Sequence, residues 1–352
     1  MHTITFYPVS NADTVLLQAG CSIITDINYR QDAQDDSKSD IYDIGRDIKN
    51  ALPNRQLDFF INTHPDKDHV SGFADLFHTG EPGDWSKDSD TILVKEIWIT
   101  AYTEALTNPT EQATPLIDEI KRRKRLAGTE REEDGNRLKV LQAGDQESPS
   151  GYLDALILAP NDSESEAEDD DGNRNNSSLV IRWTYSSEGN SYRIMLAGDA
   201  EYEVWERLNE ENEAEDLSWH LLLSPHHCSR TTYSYKQESG DYEDSDDAWE
   251  ALANLEGKGF IVTSSKPIKD DEDNPPHYHA RNRYIELLDG AHPGGENRFF
   301  NPETHGEKDS AKPVVFELND KGIKIKRGNS TEAPLAIITG AASKPTQYGN
   351  EC

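Results

Sequence analysis

The chain has 352 residues and a formal net charge of −32, because 67 Asp and Glu residues outnumber 35 Lys and Arg residues. This length suits one large domain or two ordinary ones, either of which can bury a core. A charge this negative repels polyanions and argues against a protein that coats nucleic acid, although bound divalent cations would reverse the potential at a small site.

Signals for a membrane or an oxidising compartment are not recognisable in the sequence. Residues 1–6 do not begin a secretory signal, and no apolar run approaches the roughly 18 residues of a membrane-spanning helix. The three cysteines, Cys21, Cys228 and Cys352, are scattered and form neither a disulfide framework nor a zinc knuckle. We therefore expect a cytoplasmic protein without a membrane partner.

The first half of the chain predicts strands that alternate with helices. β-Branched and apolar runs predict strands at residues 4–7, 14–17, 22–25, 57–63, 94–100, 138–143 and 153–160. Helices are predicted at residues 41–52, 69–77 and 111–133. The last of these contains the basic run KRRKR at residues 121–125, which either grips a phosphate backbone or forms a solvated face that balances nearby acids; the second is favoured.

The second half continues the mixed pattern and carries two acidic segments. Strands are predicted at residues 178–185, 191–199, 219–227 and 259–265, helices at 202–208 and 280–290, and a closing hairpin at 313–327. Residues 161–174 and 238–247 are too acidic to bury apolar surface and predict surface loops. We expect a single α/β (α+β) domain over residues 1–330, with sheets covered by helices, and a tail at 331–352.

A dense group of potential metal ligands follows the predicted strand at residues 57–63. His64, Asp66, Asp68 and His69 lie within six residues, and imidazole and carboxylate groups bind zinc, manganese or iron. Side chains at this end of a strand lie where α/β folds bind ligands. The alternative is structural, since Asp66 or Asp68 would also cap the following helix.

Four further polar motifs lie at the ends of predicted elements. They contain Asp199; His226 and His227; Asn175, Asn176 and Ser177; and His277 and His279. Each has a structural alternative, which is a helix cap for Asp199 and a polar turn or surface loop for the others. Polar groups that converge on one rim from several strands are the layout of a catalytic site, so the sequence favours a shared site.

In their order along the chain, the motifs THPDKDHVSG, NNSSLVIRW, MLAGDAE and LSPHHCS resemble those of the metallo-β-lactamase fold. They are most similar to the ComEC-type branch of competence-protein hydrolase domains, whose first motif is His-Pro-Asp-x-Asp-His. Asp13 and Asp26 occupy matching places in the opening hairpin. The resemblance spans roughly residues 3–290 and implies a four-layer αββα sandwich.

The resemblance also implies a metal site with one or two divalent ions, zinc or manganese. His64 and Asp66 would hold one ion, Asp68 and His69 the second, and Asp199 would bridge both. His226 would complete the second site, with His227 as the alternative. The carboxylate-rich set leans towards manganese.

Three further roles follow from the resemblance. Asp68 would orient the attacking hydroxide, and His227 or His279 would give a proton to the departing group. Asn176, or Asn175, falls where many relatives place another histidine ligand and would lie near the substrate. Cys228 stands where the motif has Gly, and Asp26-Ile27-Asn28 where it has Asp-Gly-Gly.

The implied function is a hydrolase that uses a metal-bound hydroxide, most simply a phosphodiesterase or nuclease acting on a phosphodiester or nucleotide. Two alternatives remain open. One is a degenerate metal-binding subunit whose acidic loops engage a protein partner. The other is an ester or thioester hydrolase, because a fold does not fix a function.

Overall fold

The computed structural model describes residues 1–34, 41–52, 54–165 and 174–326. Its strands, in chain order, are β1 (His2–Phe6), β2 (Val15–Gln18), β3 (Ser22–Thr25), β4 (Gln56–Ile61), β5 (Leu93–Thr100), β6 (Arg137–Leu141), β7 (Gln146–Ser150), β8 (Leu153–Ala159), β9 (Val180–Ser187), β10 (Asn190–Leu196), β11 (Trp219–Leu223), β12 (Ser234–Lys236), β13 (Tyr242–Asp244), β14 (Leu255–Val262), β15 (Phe299–Phe300), β16 (Val314–Asn319) and β17 (Gly322–Ile325). The α-helices are α1 (Ile44–Ala51), α2 (Lys67–Val70), α3 (Phe73–Leu76), α4 (Ala101–Ala105), α5 (Thr114–Lys124), α6 (Asp162–Ser165), α7 (Tyr202–Glu211), α8 (Ala214–Leu217), α9 (Asp246–Leu252) and α10 (Tyr278–Ala291).

Two large mixed sheets organise the described residues. The first has the strand order β17-β16-β1-β2-β3-β4-β5-β6, and the second β15-β14-β11-β10-β9-β8-β7. In the first sheet β3, β4, β5 and β6 are parallel neighbours. In the second, β10, β11, β14 and β15 are also parallel. Each sheet therefore has one half whose strands all end at the same edge.

The sheets pack face to face, and helices cover both outer faces. One apolar cluster joins the two inner faces, where the rings of Trp98 in β5 and Trp183 in β9 stack with centroids 6.3 Å apart. A second cluster packs α1, α3 and α5 on the first sheet, and a third packs α7, α9 and α10 on the second. These are the four layers of an αββα sandwich, so the predicted fold class is confirmed.

The helices form where apolar spacing and capping residues agree. In α1, Ile44 and Ile48 are one turn apart and both buried, and the Asp43 side chain accepts a hydrogen bond from the backbone N–H of Arg46. In α9 the Ser245 hydroxyl accepts from the N–H of Ala248 in the same way. Within the described part of the chain, no helix has the length and apolar character that crossing a bilayer requires.

Two predicted helices are shorter in the structure. The helix expected at 111–133 is α5, which ends at Lys124, shortly before Gly128 adopts a φ of +62°. The helix expected at 69–77 is divided into α2 and α3, because Gly72 has a φ of +74° and lies against Tyr29. A Cβ at Gly72 would lie only 2.3 Å from the Tyr29 carbonyl oxygen, so this position requires glycine.

The acidic segment 238–247, predicted as a loop, contains β13 and the first residues of α9. Asp246 and Asp247 lie in the first turn of that helix, where negative charge is favourable. Most of the other acidic segment (residues 166–173) and the predicted tail at 331–352 lie outside the described residues.

The basic run at residues 121–125 is neither wholly a solvated face nor wholly available to bind phosphate. The buried guanidinium of Arg123 donates to Glu119 at 2.8 Å and to the carbonyl oxygens of Val94 and Arg137 at 2.9 Å. Arg122 also donates to Glu119, at 2.8 and 3.0 Å. Arg123 therefore joins the helix to the first sheet, and the contacts of both arginines make them unavailable to a phosphate backbone.

Glu119→Ala should lower the free energy of unfolding by about 3 kcal/mol or more, because it leaves the buried Arg123 without its carboxylate. Burial alone would raise the pKa of Glu119, but the hydrogen bond from Arg122 and the charge of Arg123 hold it below its usual value. This stabilisation is present above the unfolded pKa of about 4.3 and is lost as the pH falls through the lower folded value.

Urea denaturation of the variant and the wild type at pH 7 and below pH 4 measures both effects. The difference between them should shrink in acid. Asp118→Ala, at the exposed neighbouring position, is the control and should be nearly neutral. If Glu119→Ala lowered the free energy of unfolding by no more than Asp118→Ala does, the result would contradict the buried ion pair.

Candidate metal centre

The candidate site lies at the edge where the parallel strands of both sheets end. His64 follows β4, Asp199 follows β10, and His226 and His227 follow β11. Backbone hydrogen bonds hold these segments together, since the N–H of His226 donates to the Gly198 carbonyl at 2.9 Å. Residues far apart in sequence therefore meet at one rim, as the sequence predicted for an α/β ligand site.

Gly198 allows Asp199 to reach the centre of this rim. Its φ is +50°, and a Cβ added there would lie 2.8 Å from the Thr63 side chain. Only glycine fits both the conformation and the space. The backbone N–H of Asp199 donates to the Ser178 hydroxyl at 3.1 Å, which fixes the start of the side chain.

The Asp199 carboxylate lies between four imidazole rings. Its Oδ1 is 3.2 Å from Nε2 of His69 and 3.5 Å from Nε2 of His227. Its Oδ2 is 3.7 Å from Nε2 of His226 and 3.9 Å from Nε2 of His64. The two oxygens thus face two separate groups of side chains.

Four of these side chains form a compact set, here called the inner cluster: Asp68, His69, Asp199 and His227. Each offers one ligand atom within 4.8 Å of the others, and Asp68 Oδ2 is 3.3 Å from Nε2 of His227. Ligands about 2.1 Å from a tetrahedral cation lie about 3.4 Å from one another. The spacing within the inner cluster therefore fits a shared cation.

His64, Asp66 and His226, here called the outer group, surround the other oxygen of Asp199 more loosely. His64 Nε2 is 4.0 Å from Asp66 Oδ2. The side chains of Asp66 and His226 are 31 % and 16 % exposed, whereas His64 is buried. The ligand atoms of the outer group therefore lie farther apart, and two of its side chains are more exposed to solvent than the buried histidines.

Unsatisfied polar atoms support a cation at this centre. In the described ranges, the buried Nε2 atoms of His64, His69 and His227 and Oδ1 of Asp199 make no hydrogen bond. A buried polar atom without a hydrogen bond costs about 1–3 kcal/mol. Imidazole nitrogen and carboxylate oxygen are ligands for divalent transition metals, so a bound cation would satisfy these atoms together.

The opposite ring nitrogens are held by neighbouring polar groups. Nδ1 of His69 lies 2.8 Å from Asp26 Oδ2, and Nδ1 of His64 lies 3.3 Å from the Ser178 hydroxyl. Histidines that bind metals commonly donate their second N–H to such a group, which fixes the ring and its tautomer. The same arrangement here directs both Nε2 atoms towards Asp199.

The carboxylates and imidazoles of the inner cluster shift one another's pKa values. Burial alone would raise the pKa of Asp199, but His227 and His69 hold it well below its usual range. Burial alone would lower the pKa of His227, yet Asp199 and Asp68 raise it to about 9. A cation would therefore compete with protons for the same imidazole nitrogens.

The turn that carries both histidines has an uncommon backbone. His226, His227 and Cys228 have φ values of +46°, +51° and +68° in succession. Non-glycine residues in this region cost of order 1–3 kcal/mol each and cluster at functional sites. This left-handed turn sends the two imidazoles to opposite oxygens of Asp199.

The placement of His226 and His227 differs from the sequence-based assignment. His226 was assigned, with His227 as the alternative, to the ion held by Asp68 and His69, and it is His227 that lies there. His226 faces the oxygen of Asp199 on the side of His64. The positive φ angles of both residues place the two rings on opposite sides of Asp199.

Asn176 and His279 have hydrogen-bond partners outside the inner cluster. Asn176 Nδ2 donates to Glu203 at 2.9 Å. His279, exposed in the first turn of α10, has Nδ1 3.2 Å from the Tyr233 hydroxyl. His277 is the N-cap of that helix, and its ring accepts from the N–H of His279.

The capping alternatives for two aspartates find no support in the structure. Asp66 precedes α2, but its side chain makes no capping hydrogen bond within the described ranges. The residue at the N-cap of α7 is Glu201, two positions after Asp199.

The sequence did not identify Thr63, Ser178 or Glu201 as supporting residues. Thr63 donates to Asp26 at 2.6 Å, and Glu201 Oε1 is 3.1 Å from Nδ1 of His226. The available signal was that each lies within two residues of His64, Asn176 or Asp199 in sequence.

No family model and no curated protein matches this chain. Among solved structures, it is similar to isothiocyanate hydrolase from Delia radicum gut bacteria, with 14 % identity over 88 % of this chain and 98 % of that one and a TM-score of 0.43. Unliganded yeast PDE1 has 12 % identity over 86 % and 98 %, with a TM-score of 0.41. Metallo-β-lactamase SMB-1 bound to 2-mercaptoethanesulfonate has 13 % identity over 71 % and 92 %, with a TM-score of 0.35. Similarities this low assign no activity, so a functional proposal has to rest on the side chains around Asp199.

Zn²⁺ or Mn²⁺ should stabilise the folded protein by about 2.7 kcal/mol when the free ion is at 100 times its dissociation constant. His69→Ala removes one ligand of the inner cluster and should abolish most of this gain. Urea denaturation in chelator and in metal measures it, with His78→Ala, a histidine outside the site, as the control. An undiminished gain in His69→Ala would place the cation elsewhere.

Proposed function

We propose that this chain is a metal-dependent hydrolase of the metallo-β-lactamase fold and that its substrates are phosphodiesters. The observation that carries the proposal is the Asp199 carboxylate, whose two oxygens each face a separate set of imidazole and carboxylate groups. A carboxylate shared in this way suits two neighbouring cations, which is the arrangement that serves in-line displacement at phosphorus.

The residues divide naturally between the two halves of the centre. Asp68, His69 and His227 would hold one ion and His64, Asp66 and His226 the other, with Asp199 shared. The mixed nitrogen and oxygen donors suit Zn²⁺ or Mn²⁺. Such cations, when bound, lower the pKa of a water molecule and neutralise charge on phosphate oxygens.

Differences in exposure indicate how a substrate would approach. His64, His69 and His227 are buried, whereas Asp68 and Asp66 are 37 % and 31 % exposed. Water and substrate would therefore enter on the side of these two aspartates. Asp68 is placed to orient the attacking water from that side of the centre.

The role predicted for His227 as a proton donor is less suitable than a role as ligand, since its ring is buried between Asp13, Asp68 and Asp199. We assign proton donation to His279 instead. It is exposed, and its helix begins beside the left-handed turn, because the N–H of His277 donates to the Cys228 carbonyl at 3.0 Å.

A basic side chain at the rim supports an anionic substrate. Arg174 Nη1 lies 3.5 Å from Asp66 Oδ1, and its side chain is 46 % exposed. An exposed guanidinium beside the proposed ions would bind a phosphate oxygen of the substrate that the ions do not contact. With a net charge of −32, the protein would favour a short or single-stranded substrate over a long polyanion.

The alternative of a degenerate interaction subunit has less support. A centre that had lost its ions would leave several buried ring nitrogens without partners, which is unfavourable by about 1–3 kcal/mol for each. Their retention favours a working metal site.

Activity on a panel of substrates tests the proposal: bis-p-nitrophenyl phosphate, p-nitrophenyl acetate, single-stranded DNA and RNA, each with Mn²⁺ and with Zn²⁺. We expect hydrolysis of the phosphodiesters. Asp68→Ala and Asp199→Ala should reduce it by more than about 100-fold, the upper range for removing a group that only supports a ligand.

Arg125→Ala, at the exposed C-cap position that follows α5, is the control and should retain activity. Turnover of the acetate alone would favour an ester hydrolase. No turnover of any substrate by metal-loaded protein would favour the interaction subunit.

A further inference from the structure

His226 differs from the other imidazoles around Asp199 in how it is held. Its side chain is 16 % exposed, whereas those of His64, His69 and His227 are at most 1 % exposed. It also begins the left-handed turn, with a φ of +46°. Close packing therefore restrains this ring least, and its orientation depends on polar contacts.

Glu201 contacts the nitrogen of His226 that faces away from Asp199. Glu201 Oε1 lies 3.1 Å from Nδ1, while Nε2 of the same ring lies 3.7 Å from Asp199 Oδ2. A carboxylate that accepts the Nδ1–H bond leaves the lone pair on Nε2, which is the form that binds a cation. Asp26 has the same relation to His69.

The same oxygen of Glu201 receives two more hydrogen bonds. Asn175 Nδ2 donates to it at 3.0 Å and the Thr231 hydroxyl at 2.9 Å. The Thr231 hydroxyl also lies 3.3 Å from Nδ1 of His226. Glu201 therefore joins the segment before β9, the turn after His227 and the ring of His226.

Helix capping does not explain this carboxylate. Glu201 occupies the N-cap position of α7, yet its side chain makes no capping hydrogen bond to the helix among the described residues. The side chain is only 14 % exposed and is directed at His226. Burial of a carboxylate is unfavourable unless specific partners compensate for it, and one of the partners here, His226, is a proposed metal ligand.

We propose that Glu201 is a positioning residue that keeps His226 in the Nδ1–H tautomer, with Nε2 towards Asp199, and so completes the outer half of the metal centre. This inference rests on the proposed metal-dependent function. It also gives Asn175 a role. The family resemblance had allowed Asn175 to bind an ion. Here it donates a hydrogen bond to the Glu201 carboxylate, which orients a ligand.

Metal binding to the metal-free full chain tests the inference without relying on activity. Wild type, Glu201→Ala and Glu201→Gln are titrated with Mn²⁺, and the bound ions per chain and their dissociation constants are measured. We expect two ions in the wild type. Glu201→Ala should raise the dissociation constant of only the more weakly bound ion. The increase should be about 10- to 100-fold, the usual effect of removing a partner of a metal-binding histidine.

Glu201→Gln should fall between wild type and Glu201→Ala, because the amide oxygen still accepts the Nδ1–H bond but carries no charge. Glu203→Gln is the matched control. Glu203 lies two residues after Glu201, in the first turn of the same helix, and accepts from Asn176 at 2.9 Å, yet it has no contact with a proposed ligand among the described residues. It should leave both dissociation constants unchanged.

Nitrogen chemical shifts of His226 in the metal-free protein provide a second readout. Wild type should show the Nδ1–H tautomer, and Glu201→Ala a mixture of the two tautomers. Unchanged melting temperatures and unchanged affinity for the tighter ion would exclude general unfolding as the cause.

The outcomes separate this inference from the proposed function. Two ions in wild type with unchanged constants in both Glu201 variants would overturn the inference and leave the hydrolase proposal standing. A single ion in wild type that Glu201→Ala does not affect would do the same. No ion in wild type would overturn the proposed function, and the inference with it.

Discussion

The rest of this structure depends on a buried carboxylate that lies between four imidazoles. Asp199 is almost inaccessible, and its oxygens and the facing Nε2 atoms include several that make no hydrogen bond in the described ranges. Such a group is unfavourable in a protein interior unless positive charge compensates for it. Protonated histidines would supply part of this charge, and shared divalent cations would satisfy the unpaired carboxylate oxygen and ring nitrogens together. The surrounding fold can be understood as the means of holding this centre together.

The two sheets place the centre through their parallel halves. β4 ends before His64, β10 before Asp199 and β11 before His226, all at one edge of the sandwich. Gly198 and the left-handed turn at His226–Cys228 then bend the chain so that the side chains meet. Both features have unusual backbone conformations, and both lie next to the proposed ligands, where strain is commonly found in functional sites.

The general plan of the fold and site could be predicted from the sequence, because strand ends and His or Asp residues coincide along the chain. Alternating apolar runs predicted the mixed sheets, and the resemblance of the motifs to the metallo-β-lactamase fold implied the αββα layers. Which of His226 and His227 faces the inner cluster could not be predicted, since it depends on the φ angles of the turn at His226–Cys228. The buried ion pair of Glu119 with Arg123 was also not predictable, because a run of basic residues does not reveal which side chains the sheet will cover. The resemblance to the ComEC-type branch stays a prediction.

The centre combines a tight inner cluster with a looser outer group, and this asymmetry gives the account its most direct test. Anomalous X-ray scattering from crystals loaded with Zn²⁺ or Mn²⁺ locates the ions without reference to activity. The account predicts a strong peak enclosed by Asp68, His69, Asp199 and His227, and a second peak on the other side of Asp199 near His64 and His226. Ions bound only away from Asp199, or no peak at this rim in a metal-loaded crystal, would contradict it.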